Sequence, residues 1–228
     1  ESSVQAVPGN GAFQGGHPVV AADGRVFWAD VLAPTVRCLG EDGDKEIFTA
    51  DAPIAGLAVR GDGLVVVHEH GATLLQAAGA PPAALPWPAG TTLAACGDAR
   101  GGIWAAMSLP ESGTAIGQVQ EDGRLQVRWR IGEPVASLAV RDADGAVFAT
   151  APHSGTIFLF APGQSVVRRL ATVPRGSGRL GGLAPDGQGG IWAALCDGWS
   201  VVRFTMEGQL DRVIGLPVPC ATDIAFRT

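Results

Sequence analysis

The sequence predicts an all-β protein, a six-bladed β-propeller of four-stranded antiparallel blades whose sixth blade is apparently incomplete. The first observation behind this prediction is a meander at residues 137–159. There, three short apolar runs at 138–140, 147–149 and 157–159 are separated by an Asp-Gly turn and by a loop that carries His153. Such runs, with period-two character and glycine punctuation, are typical of short strands joined by tight turns.

The second observation is that similar stretches recur along the chain. Equivalent inner-strand positions fall at Leu57, Ala94, Leu138, Leu183 and Ile224. Their spacing of roughly 37 to 45 residues is that of four-stranded propeller blades. After a last inner strand at 221–226 no residues are available for the rest of that blade. Three explanations stay open: a missing part of the chain, closure with five blades, or closure by a partner chain.

The strands are assigned in chain order. Residues 4–7 are expected to complete the last blade, because an unpaired sheet edge exposes backbone donors and acceptors. Proline at residues 81–88 places that tract at an outer edge or in a loop, since proline cannot donate to a ladder. The five full blades are assigned to residues 17–49, 54–88, 91–130, 135–172 and 180–216.

Length and composition predict one domain spanning 1–228. The net charge of −6 comes without a basic cluster, which argues against nucleic acid as a partner. No apolar run approaches about 18 residues, so no membrane partner is expected. A cytoplasmic location is predicted, although an upstream segment could have been removed. The Ala and Gly bias indicates a bacterial source, and the oligomeric state is left open.

Four cysteines, Cys38, Cys96, Cys196 and Cys220, lie far apart without a CxxC pair. We expect them to be small buried apolar residues. A Cys196–Cys220 disulfide and a catalytic thiol are the alternatives.

Several stretches resemble the family of gluconolactonases, senescence marker protein and luciferin-regenerating enzyme. They include GGHPVVAADGRVFWADV at 15–31, GGLAPDGQGGIWAALCDGWSVVRFTMEG at 181–208 and LPVPCATDIAF at 216–226. The resemblance implies a six-bladed propeller. It also implies a divalent ion, usually calcium, held at the channel mouth by oxygen ligands from Glu, Asn and Asp.

The positions that match the family's metal ligands carry other residues here. They are Gly16, Leu93, Ala136 and Gly181, and the whole chain holds a single asparagine, Asn10. The chain is therefore expected to be a divergent member that lacks the family's metal ligands. We predict no metal and no cofactor.

Other polar residues collect at the predicted mouth, which is formed by the segment before each inner strand and by each loop between second and third strands. All four histidines fall there. We predict acid–base catalysis by Glu69, His68, His70 and His153, because imidazole titrates near neutrality and a carboxylate can share its proton work. We predict substrate binding by His17, Asp30, Glu111, Arg179, Asp197 and Trp199.

The predicted function is that of an enzyme acting on a small-molecule substrate, a metal-independent hydrolase or a lyase or cyclase. The reaction would be hydrolysis, lactone opening, condensation or cyclisation. Strictosidine synthase-like propellers, which this architecture also resembles, work through a carboxylate without a catalytic metal. The alternatives are a non-catalytic ligand-binding or scaffolding propeller, solvated loops without a role, and a rebuilt histidine site for a transition metal.

Overall fold

The computed structural model describes residues 4–5, 11–76 and 80–226. Within these ranges the chain forms five antiparallel four-stranded sheets, the blades, whose strands are arranged in sequence order. Blade one is β1 (Gly15–Val20), β2 (Val26–Asp30), β3 (Thr35–Gly40) and β4 (Gly43–Thr49). Blade two is β5 (Ile54–Arg60), β6 (Gly63–His68), β7 (Gly71–Leu75) and β8 (Ala83–Leu85).

The three remaining blades follow the same pattern. Blade three is β9 (Thr92–Gly97), β10 (Ile103–Ser108), β11 (Thr114–Val119) and β12 (Leu125–Ile131), with a 3-10 turn at Pro110–Ser112. Blade four is β13 (Ser137–Arg141), β14 (Ala146–Ala151), β15 (Thr156–Phe160) and β16 (Val167–Thr172). Blade five is β17 (Arg179–Pro185), β18 (Ile191–Cys196), β19 (Ser200–Phe204) and β20 (Leu210–Gly215). No helix in the described ranges is long and apolar enough to cross a membrane.

The first strand of each blade lies beside the central channel. β5 contacts β1 and β9, and β13 contacts β9 and β17. Small residues allow this close approach, since a side chain at Gly56 of β5 would overlap the carbonyl oxygen of Ala95 of β9. The inner strands thus form a continuous wall around most of the channel.

Apolar side chains fill the space between adjacent blades. Phe148 of blade four packs with Ile191 of blade five, and Ile116 of blade three packs with Phe160 of blade four. All four are fully buried. Burying one such side chain contributes about 1.5 to 3 kcal/mol, so the blade interfaces hold the ring together.

The prediction of six blades is wrong, although the all-β propeller is as predicted. Residues 221–226 form no strand, and within the described residues no further strand pairs with them. They run instead as an extended segment between β17 and β1, which we call the closing segment. The sequence pattern at 221–226 is typical of an extended, half-buried segment, but a strand of a blade also needs neighbouring strands with which to form a hydrogen-bonded ladder. The strand predicted at 4–7 lies mostly outside the described residues, of which Val4 and Gln5 are not in a strand.

An aspartate turn precedes the second strand in blades three and five. The carboxylates of Asp98 and Asp186 each accept backbone N–H groups from residues two and four positions later. Each also accepts the indole N–H of a second-strand tryptophan, Trp104 at 3.2 Å and Trp192 at 2.9 Å. Asp186 further binds the guanidinium of Arg203 at 2.6 Å. This turn therefore fastens the base of the second strand.

Replacing Asp186 by asparagine is expected to destabilise the fold by about 1 to 2 kcal/mol, because Arg203 loses one of its two charged partners and keeps only Asp211. Arg203 and the N–H donors hold the pKa of Asp186 well below its ordinary value of 3.8. The charged interaction is therefore fully present above about pH 5 and is lost as the pH falls through the folded-state pKa of Asp186, which lies far below 3.8. Urea unfolding at pH 7 and pH 2 measures this, with Asp62→Asn in an exposed turn as the control. A deficit of equal size at both pH values would contradict the assignment.

Candidate functional site

A cavity of about 400 Å³ opens at the end of the channel where the inner strands begin. We call it the mouth cavity. Its lining includes Gly16, Leu93, Ala136 and Gly181, the four positions at which the family resemblance places metal ligands. The polar side chains around it come from other positions. They are Gln14, His17, Arg179, Thr222 and Asp223.

His17 and Asp223 form the central polar pair of this cavity. The backbone N–H of His17 donates to Asp223 Oδ2 at 2.9 Å, and His17 Nδ1 lies 3.8 Å from the same oxygen. Asp223 Oδ1 accepts the backbone N–H of Ile224 at 2.8 Å. The side chains of His17 and Asp223 are only 18% and 13% exposed. The same two residues also line the channel below, a cavity of about 610 Å³.

Burial sets the protonation of this pair. It lowers the pKa of His17, and the nearby Asp223 carboxylate only partly opposes this effect. Burial raises the pKa of Asp223, against the stabilising effects of His17 and of the two backbone N–H groups. The two pKa values therefore shift toward each other, and the carboxylate lies close enough to the imidazole to affect its charge.

The closing segment carries Asp223 into the cavity and is held on both sides. On one side, Gly182 donates its backbone N–H to the carbonyl oxygen of Thr222 at 2.7 Å. On the other, the Thr222 hydroxyl donates to the carbonyl oxygen of Gly15 at 2.6 Å. A side chain at Gly181 would overlap the carbonyl oxygen of Thr222, and one at Gly182 would overlap the Asp223 carboxylate.

A disulfide between Cys196 and Cys220 fastens the same segment to the end of β18. The expectation of four free buried cysteines is therefore wrong for these two, and the alternative pairing is present. Cys38 and Cys96 are free and half-buried. Both sulfurs of the disulfide belong to residues that line the mouth cavity.

The residues of the mouth cavity do not fit the calcium ion that the family resemblance implies. Calcium takes six to eight oxygen ligands, mostly carboxylates and carbonyls. Here Asp223 supplies the one carboxylate of the lining, and both of its oxygens already accept backbone N–H groups. The guanidinium of Arg179 adds a positive charge. Across the described residues, no group of three or more His, Cys, Asp or Glu side chains is arranged to hold a metal ion.

The residues predicted to perform acid–base catalysis are not brought together. His68, Glu69 and His70 do not line the mouth cavity. His70 Nε2 lies 3.8 Å from Glu69 Oε1, and these side chains are 62% and 38% exposed. His68 Nδ1 is buried without a hydrogen-bond partner among the described residues, and burial lowers the pKa of His68. Their catalytic role stays a prediction.

His153 lies next door to the mouth cavity. Together with Arg179 and Asp197 it lines a neighbouring cavity of about 370 Å³, which we call the rim cavity. Arg179 and Pro152 line both cavities, so the two are adjacent. This arrangement groups one residue of the predicted catalytic set with two of the predicted substrate-binding set.

The other predicted binding residues lie elsewhere. Asp30 is buried, and its carboxylate accepts four backbone N–H groups, which lower its pKa even though burial opposes this. Glu111 lies in the 3-10 turn with a φ of 62°. Trp199 is 55% exposed with a φ of 53°. None of these three lines the mouth cavity, and their binding role stays a prediction.

Asp223 is the site residue that sequence reasoning missed. Four inner strands carry uncharged residues at the equivalent position, namely Gly56, Leu93, Ser137 and Gly182. A carboxylate at a position where the other repeats are uncharged was the available signal. Its partner His17 lies 206 positions away in the sequence, so no local motif joins the two.

The comparisons with known proteins agree with this architecture. A gluconolactonase from Xanthomonas campestris superposes with a TM-score of 0.79 at 22% identity, covering 94% of this chain and 80% of that one. A luciferin-regenerating enzyme superposes with a TM-score of 0.76 at 15% identity, covering 94% and 80%. A virginiamycin B lyase from Staphylococcus aureus superposes with a TM-score of 0.64 at 18% identity, covering 89% and 70%.

At these identities the structural likeness shows the fold. The search of curated proteins finds no match to the sequence. Residues 163–228 match the family described as "SMP-30/Gluconolactonase/LRE-like region". These residues supply eight of the 18 residues that line the mouth cavity, including Arg179 and Asp223. The family resemblance found in the sequence is thus confirmed over residues 163–228, the part of the chain that matches the SMP-30/gluconolactonase/LRE-like family.

Proposed function

We propose that this chain is an enzyme that opens a lactone or ester of a small molecule in the mouth cavity, with His17 and Asp223 as its acid–base pair. The observation that carries the proposal is the placement of this buried pair in the wall of the cavity. Similar structures include a gluconolactonase and a lyase, both enzymes by name. A fold hosts many chemistries, so the pair rather than the likeness bears the argument.

The proposed chemistry follows from the two shifted pKa values. A histidine whose pKa is lowered is neutral at pH 7 and accepts a proton from an attacking water. The Asp223 carboxylate, 3.8 Å from His17 Nδ1, stabilises with its negative charge the imidazolium that forms. The proton then passes to the alkoxide that leaves when the ester bond breaks. No metal ion takes part in this scheme.

Two further points belong to the proposal. The acid–base role predicted for Glu69, His68, His70 and His153 remains an alternative that the same assays address. A cytoplasmic location remains proposed from the sequence. The Cys196–Cys220 disulfide is the feature that opposes it, because stable disulfides are rare in reducing compartments.

Titration of released acid tests the proposal. The purified chain is incubated with a panel of lactones and small esters at pH 7, because opening either bond liberates a proton equivalent there. We expect turnover of at least one member, unchanged after dialysis against EDTA. Turnover that disappears with EDTA and returns with calcium would overturn the metal-free scheme. A chain that binds panel members without turning any of them over would instead be the non-catalytic propeller.

A further inference from the structure

We propose that the rim cavity is an oxyanion-binding subsite, formed by Arg175 and Arg179 beside His153. It would hold a carboxylate or phosphate group of the substrate. The inference rests on the proposed function in one respect, namely that the bound molecule is a substrate. Binding of the anion does not itself depend on catalysis. It assigns a chemical class to the molecule that the mouth cavity takes: a small acidic lactone or ester.

The charge of the rim cavity supports this assignment. Two guanidinium groups and one imidazole line it, against a single carboxylate, that of Asp197. Neither arginine forms an ion pair with a carboxylate among the described residues. The chain as a whole carries a net charge of −6, so this positive concentration runs against its overall charge. Guanidinium donors match carboxylate and phosphate oxygens in pairs.

The backbone that carries the two arginines forms a tight loop. They flank residues 176–178, where Gly178 has a φ of 109°. A side chain at Gly178 would lie 2.8 Å from Gly198 Cα, and one at Gly198 would lie 2.6 Å from the Ser177 carbonyl oxygen. The backbones of these two loops are therefore in direct contact. The loop backbone that carries the two exposed arginines therefore need not rearrange when an anion binds.

Arg179 links the rim cavity to the proposed acid–base pair. Its Nη2 lies 3.7 Å from Cys196 Sγ, next to the disulfide that fastens the closing segment. Only one of its five N–H donors is engaged by this contact. Since Arg179 lines both cavities, an anionic group at the rim leaves the rest of a small molecule in the mouth cavity, beside His17 and Asp223.

Calorimetric titration at low ionic strength tests the subsite with succinate and inorganic phosphate, and with the uncharged succinamide as the reference. We expect saturable binding of at least one anion and none of succinamide. The double variant R175Q/R179Q should weaken that binding at least tenfold. The matched control R168Q/R169Q removes the same charge from two exposed positions of β16 and should change the affinity less than twofold.

Three results separate this inference from the proposed function. Equal losses in both double variants, or no saturable anion binding, would overturn the subsite. Saturable anion binding by a wild-type chain that turns over no member of the lactone and ester panel would leave the subsite standing and refute the proposed function. Turnover of acidic substrates by R175Q/R179Q with an unchanged KM would leave the proposed function standing and refute the subsite.

Discussion

Asparagine at position 223 is expected to lower the kcat of lactone or ester opening by at least about 100-fold while leaving the chain folded. Positioned acid–base groups contribute typically 10² to 10⁴ in rate. Asp223 binds the N–H groups of His17 and Ile224 with different oxygens, at 2.9 and 2.8 Å. An asparagine has one oxygen and keeps only one of these two hydrogen bonds, so a modest loss of stability accompanies the loss of the negative charge. His17→Asn should reduce kcat to a similar extent, and asparagine tolerates the φ of 52° at that position.

The pH dependence of turnover should also change in a definite direction. Burial lowers the pKa of His17 from its ordinary value of 6.5. The imidazole therefore stays neutral, and turnover should persist, at pH values below 6.5. The charge of Asp223 raises the pKa of His17, so removing that charge lowers it further. The acidic limb of the residual activity of Asp223→Asn should therefore move to lower pH.

Stability follows the same sign for His17. Because the pKa of His17 is lower in the folded state than in the unfolded state, its contribution to the free energy of unfolding is complete above about pH 6.5 and is lost as the pH falls.

The control for the loss of kcat is Asp122→Asn, which alters an exposed carboxylate on the outer hairpin of blade three and should leave kcat unchanged. Wild-type turnover in Asp223→Asn, or loss in the control of the same size, would remove the pair from the mechanism.

The contrast between fold and site shows what a sequence reports. Five blades were predictable because short apolar runs and turns record local conformation, as at residues 137–159. The sixth was not, because residues 221–226 have the pattern of an inner strand, whereas a strand also requires ladder partners. The sequence of one segment can indicate that it is buried and extended, but strand pairing depends on the sequences of two segments.

The same limit applies to the candidate site. His68, Glu69 and His70 are adjacent in sequence, but the fold gives them no place in the mouth cavity. His17 and Asp223 are 206 positions apart and meet because the closing segment lies beside β1. A concentration of reactive residues along a chain does not predict their concentration in space, where the ring brings together distant ends.

Alanine at position 182 is expected to destabilise the fold by about 3 kcal/mol and to abolish turnover. A Cβ at Gly182 would overlap the Asp223 carboxylate. Forcing atoms into a well-packed site costs typically 1 to 3 kcal/mol, and here the clash also displaces a buried carboxylate from its N–H donors. Gly187→Ala is the matched control on the same blade, because a Cβ there meets no atom within 4 Å. Urea unfolding compares the two variants.

A double-mutant cycle isolates the cause of that loss. Asp223→Ala removes the carboxylate that the new Cβ would strike, so Gly182→Ala should cost much less in that background than in the wild type. Coupling between residues in contact is commonly 0.5 to 3 kcal/mol, and we expect about 2 kcal/mol here. If the destabilisations of the two single variants add up to that of the double variant, Gly182 is needed only for the close approach of the backbones. A large coupling would establish that this glycine exists to admit Asp223, and that the closing segment is built to deliver a carboxylate to the mouth of the channel.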